Sequence, residues 1–122
     1  MPVTKGAVAD ALAANLVTDS DADSTAEADV TTGAGLLYYV YLDASQVTSP
    51  TYVKLVDNTS ASSGSAVPDF IFYAPAQTTV SYIAQIGHDF GQGISFWATS
   101  TQANAVTQTD PSADVVVRIL AT

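Results

Sequence analysis

The chain contains no cysteine, so no disulfide and no zinc–thiolate site can hold it together, a composition suited to a reducing cytosol. Cations are almost missing: Lys5, Lys54 and Arg118 stand against twelve acids, for a net charge of −9. Proteins that grip phosphate backbones need clustered Lys and Arg, and no cluster exists, which excludes nucleic acid and anionic membrane surfaces as partners. Long apolar runs are missing too, and nothing approaches the roughly 20 residues that span a bilayer. Asp10 interrupts the stretch Ala7–Leu12, so the N-terminus does not read as a signal peptide. The 122 residues set the size of one domain with a single core.

The chain divides into two unequal parts. Residues 1–27 form an N-terminal arm and an acidic linker, with no aromatic residue through position 34. Val8, Leu12 and Leu16 recur every four residues among alanines, so residues 6–17 are either a short helix or an extended arm. Asp19 to Asp29 carries five acids and reads as a solvated stretch. Residues 28–32 could pair as a first strand. Residues 28–122 read as a β domain. The alternation of apolar and polar residues predicts strands over 36–43, 51–57, 70–74, 78–85, 94–99 and 114–120, each bounded by Gly, Pro, Ser or Asn. Leu37, Tyr39 and Tyr41 are expected on one face of the first of these, and Tyr38, Val40 and Leu42 on the other. Val53 and Leu55 should face inward and Lys54 outward or toward a neighbour, while Phe96 and Trp97 should anchor the core. The fold class is therefore all-β: a single β-sandwich or jelly-roll-like domain with an N-terminal arm or short helix.

Candidate chemistry is thin. Asp19, Asp21 and Asp23 have the spacing of the first three ligands of an EF-hand. Ser24 stands where the loop needs glycine and Val30 where it needs the bidentate glutamate, so the cage does not close. His88, the only histidine, has Asp89 beside it. In an extended segment the two side chains point to opposite faces, so a triad is not built. Gly87, Gly91 and Gly93 lack the lysine and the following helix of a phosphate loop and read as a turn or bulge. No catalytic residue, metal ligand or cofactor site is expected. The six tyrosines fall within strands, and most are expected in the core or in a subunit contact, with a sugar-binding platform as the alternative.

Three pieces of the chain carry a family resemblance: Gly33-Ala34-Gly35-Leu36-Leu37-Tyr38-Tyr39-Val40-Tyr41-Leu42-Asp43; Thr51-Tyr52-Val53-Lys54-Leu55-Val56-Asp57-Asn58 with Pro68-Asp69-Phe70-Ile71-Phe72; and Gly91-Gln92-Gly93-Ile94-Ser95-Phe96-Trp97-Ala98-Thr99 before a Val-rich strand. Over residues 28–120 this pattern resembles tailed-phage virion structural proteins, including capsid decoration (cement) proteins. The resemblance implies a non-enzymatic role on the outer capsid surface of a virion. There the chain would clamp neighbouring copies of a major capsid protein, as a homo-oligomer with a trimer favoured. A head fibre, a tail, baseplate or receptor-binding module, and a carbohydrate-binding β-sandwich are the alternatives. On this reading Val3, Val8, Leu12 and Leu16 of the arm dock on a neighbouring subunit, and a chain lacking residues 1–24 should still fold.

Overall fold

The computed structural model describes residues 15–104 and 106–122. Within them seven strands form a β-sandwich of two antiparallel sheets. The strands are β1 (Asn15–Ala22), β2 (Gly35–Asp43), β3 (Thr51–Asp57), β4 (Phe70–Ala74), β5 (Thr79–Phe90), β6 (Ile94–Thr99) and β7 (Val115–Ala121). One sheet has the order β1-β7-β2-β5, the other β4-β3-β6.

The core lies between the sheets, and strict alternation fills it. Val115, Val117, Ile119 and Ala121 of β7 are buried, and Arg118 between them is exposed. Leu37, Val40 and Leu42 of β2 meet Val53 and Leu55 of β3 and Ile94, Phe96 and Ala98 of β6 in one cluster. Burial of this set supplies the main driving force, on the order of 1.5–3 kcal/mol for each large side chain.

Leu37 shares the core face with Val40, three residues on, which regular alternation forbids. The reason is a bulge. β2 advances two residues from Leu37 to Tyr39 while β7 moves one, from Ala121 to Leu120, so Tyr38 is the extra residue. The expected grouping of Leu37 with Tyr39 and Tyr41 is therefore corrected.

The linker is a strand. Residues 15–22 pair with β7 from Asn15↔Ala121 to Ala22↔Val115, so the acidic stretch supplies an edge strand of the sandwich. A helix over 6–17 does not fit residues 15–17, which are extended; the rest of that segment lies outside the described residues. The chain then crosses to the other sheet. Glu27 pairs with Phe96, Val30 N–H donates to the Ile94 carbonyl (2.8 Å) and Ala98 N–H donates to the Asp23 carbonyl (2.8 Å), so residues 23–30 cover the outer edge of β6. Residues 28–32, expected as a first strand, instead end in a turn, with Thr32 N–H donating to the Asp29 carbonyl.

The outer face of the smaller sheet has a cover of its own. Lys54 and Trp97 face each other across β3 and β6, pointing away from the inter-sheet core, and both are fully buried. The loop after β6 lies over them. Lys54 Nζ donates to the Ala103 carbonyl (2.8 Å) and to Gln108 Oε1 (3.0 Å), and Trp97 Nε1 donates to the same Oε1 (3.3 Å). Burial pushes the Lys54 ammonium below its ordinary pKa. Lys54 thus takes the expected outward direction without reaching solvent, and Trp97 belongs to this second layer.

The position of β1 gives a truncation test. Removing residues 1–24 deletes β1 and the buried Ala22 and uncovers one end of β6, so a loss of about 3 kcal/mol or more is expected in urea unfolding.

Candidate functional site

The bulge at Tyr38 has a larger counterpart across the sheet. Between the pairs Tyr39↔Ile83 and Leu37↔His88, β2 spends two residues and β5 five, so β5 carries three extra residues and bows outward. Ile86 at the crest is 92% exposed. Gly87 permits the return. Its φ is +80°, and a Cβ there would lie 3.0 Å from Tyr38 Cε1 and 3.1 Å from Leu36 Cβ.

The bow opens a groove of about 290 Å³ between the facing edges of β5 and β4. Leu37 and Val40 form its floor, Phe70 and Phe72 of β4 one wall, and Tyr38, Tyr39, Tyr82 and Ile83 the other. The walls are braced by rings: Phe72 and Tyr82 centroids are 5.0 Å apart, and Phe70 and Phe72 are stacked at 5.9 Å. Tyr82 Oη donates to the Tyr73 carbonyl, which links β5 to β4 where no ladder does. His88 sits at the mouth, edge-on to Phe70 at 4.5 Å and to Phe90 at 5.6 Å. It is exposed and lies inside β5, with the Phe70 and Phe90 rings against it.

An acidic network lies within electrostatic reach of His88. The turn Gly91–Gly93 aims three successive N–H groups at Asp57: Gly91 and Gln92 at 3.0 and 2.8 Å, Gly93 at 3.3 Å. An anion nest of this kind is here filled by the chain's own carboxylate. These donors, Gln92 foremost, hold the Asp57 carboxyl below its usual pKa, with His88 adding a small pull. The Asp57 N–H in turn donates to Asp69 Oδ2 (2.6 Å).

The other candidate residues disperse. Asp19 and Asp21 lie on β1, where the Asp21 N–H donates to Asp19 Oδ1. Partial burial, with Asp21 and Glu27 nearby, raises the Asp19 pKa. Asp23 instead accepts from Thr25 N–H. Among the described residues no group of three or more His, Cys, Asp or Glu could hold a metal, and no helix is long and apolar enough to cross a membrane. Of the arm residues named as an interface, Leu16 lies on β1 and is 64% exposed; Val3, Val8 and Leu12 lie outside the described residues. None of the six tyrosines is fully buried: Tyr38, Tyr39, Tyr41 and Tyr52 are half-buried and Tyr73 and Tyr82 are exposed, so of the two places expected for most of them, core or subunit contact, the core is corrected. The groove was not foreseen. Its only sequence signal is the pair Tyr38-Tyr39 facing a glycine, Gly87, within an apolar strand. No family model, curated protein or solved structure matches the chain.

Two substitutions test this geometry. Gly87→Ala forces an L side chain into positive φ against Tyr38 and is expected to cost about 1–3 kcal/mol, whereas Gly91→Ala, where a Cβ meets only Asp57 Oδ2 at 3.9 Å, should be near neutral in the same denaturant titration. Asp57→Asn should lower the melting temperature at pH 7. The folded pKa of Asp57 lies below its unfolded value near 3.9, so its contribution is complete above that value and is lost as pH falls through the folded pKa. The gap between wild type and Asp57→Asn is therefore expected to close below about pH 4.

Proposed function

We propose that the chain is a phage capsid decoration protein that binds the outer shell of a virion and stabilises contacts between major capsid subunits. The observation that carries this reading is the side of the sandwich formed by β4 and β5. Of the eight large hydrophobic residues exposed among those described, Ile71, Tyr73, Tyr82, Ile83 and Ile86 lie on these two strands. They flank one lateral edge of a strongly acidic molecule, Ile71 and Tyr73 on the outer face of the smaller sheet and Ile83 on that of the larger, and apolar surface gathered along one edge supports a docking role. The three strand-and-turn pieces that resemble cement proteins include Phe70 and Phe72 of one wall and Tyr38 and Tyr39 of the other, while Tyr82 and Ile83 lie outside them, and the chemistry of that groove is that of packing, with rings and aliphatic side chains. In this reading the copies occupy the shell as homotrimers, contact protein alone, and act through interface area.

A second reading has an observation of its own. The Tyr52 and Tyr73 rings are 5.4 Å apart on the outer face of the smaller sheet, beside Ile71 and Gln102. An aromatic pair with an adjacent amide is a surface that sugar rings can stack on, as in carbohydrate-binding sandwiches.

Peptide mass spectrometry of purified virions, scaled to the major capsid protein, separates the readings. A copy number near that of the capsid protein is expected. A count of about a few dozen or fewer would place the chain in a fibre, tail or baseplate, and absence from virions would leave the carbohydrate reading to a glycan array.

A further inference from the structure

We infer that the free edge of β5 at Thr79–Ile83, with the groove beside it, takes an extended basic polypeptide segment that adds as a strand and seats one apolar side chain in the groove against the paired rings of Tyr82 and Phe72. The inference does not depend on the virion reading, since it concerns the chemistry of one edge.

The sandwich has four sheet edges, and three are blunted. β1 carries Asp19 and Asp21, β6 is covered by residues 23–30, and β4 is five residues long and stopped by Pro75. β5 is different. It ends its sheet, and Thr79-Val80-Ser81-Tyr82-Ile83 has no Asp, Glu, Lys or Arg, no proline and regular pairing to β2. The bulge after Ile83 limits an incoming strand to this run and places the groove at its end. A space of about 290 Å³ suits a single large side chain better than a drug-sized ligand.

Charge selects the occupant. Asp43 pairs with Thr79 at one end of the run, and Asp89 follows His88 beyond the bulge at the other. Of the cations among the described residues, Lys54 is buried and Arg118 is held over the Tyr41 ring at 5.1 Å. A second copy at net charge −9 is repelled, whereas a strand with Lys or Arg at both ends and an apolar centre is complementary.

The test uses the isotopically labelled full chain at pH 7.5 and a short blocked peptide of alternating Val and Thr, with one central Trp and paired Lys at each end. Amide shifts and slowed exchange are expected over Thr79–Ile83, with ring shifts at Tyr82 and Phe72. The same peptide ended in Glu should bind at least about tenfold more weakly, and raised salt should weaken the Lys form. Ile83→Lys, at a position already 71% exposed, keeps the fold and should lower affinity about tenfold. Equal affinity for the two peptides, shifts confined to β1, or no binding at millimolar peptide would overturn the inference. So would concentration-dependent shifts of β5 without peptide, which would give the edge to a second copy. No virion component enters the experiment, so its failure is separate from that of the capsid reading.

Discussion

At Tyr38 the central strand of the larger sheet carries one residue more than its neighbour β7, and the phase of the sheet changes there. Side chains alternate along a strand, so an extra residue exchanges the faces on either side of it. Leu37 and Val40 both reach the core only because Tyr38 is taken out of the count. Without it, burying Val40 and Leu42 would turn Leu37 to solvent. On the other side of β2 the same place is met by three extra residues of β5, and the return of that strand rests on Gly87. The groove is thus a consequence of how the register is reconciled. Its floor, Leu37 and Val40, is the pair of residues that the bulge brings to one face.

Much of the fold was legible in the sequence, and for a local reason. β3, β4 and β6 match the spans expected from alternation bounded by Pro68, Pro75, Gly93 and Ser100, and β2 and β7 differ by a residue at their ends. β1 was not legible because Asn15–Ala22 is half polar, with Asp19 and Asp21 in a segment that composition alone reads as solvated. Its strand character comes from pairing with the strongly apolar β7, roughly a hundred residues away along the chain. The extension of β5 through Gly87 was hidden by a glycine that normally signals a break. Here it marks a bulge, which sequence pattern cannot distinguish from a turn when the partner strand is unknown.

Lys54 shows the same division between local and long-range information. Alternation gave its direction correctly, away from Val53 and Leu55. Its burial depends on the loop after β6, whose Ala103 carbonyl and Gln108 side chain receive the ammonium. Two neutral acceptors replace only part of the hydration a cation gives up, which accounts for its lowered pKa. The gain is positional. Thr99 Oγ1 and the Ser100 N–H both donate to the Thr109 carbonyl, and Ser24 donates to Asp110, so the loop is tied to the sheet at several points and to the segment that covers β6. One polar contact layer thereby joins the outer face of the smaller sheet to the crossing that follows β1.

This use of Lys54 also shapes the field outside the molecule. Burying one of three cations and holding another over an aromatic ring leaves the described surface dominated by carboxylates. Several of these are fixed in their charged form by the fold itself: Asp57 by the Gly91–Gly93 amides, Asp43 by Ser45, and Asp110 by Ser24, each held below its usual pKa. An open strand edge is normally guarded by a charged residue within it. β5 has none between Thr79 and Gly87, and the repulsion between whole acidic molecules can serve in its place. That protection discriminates in a way a lysine on the edge would not. It weakens with salt, acts against any acidic copy of the chain, and becomes attraction toward a basic partner. The same distribution of charge that keeps an uncharged edge from pairing with itself leaves it available to a partner of opposite sign.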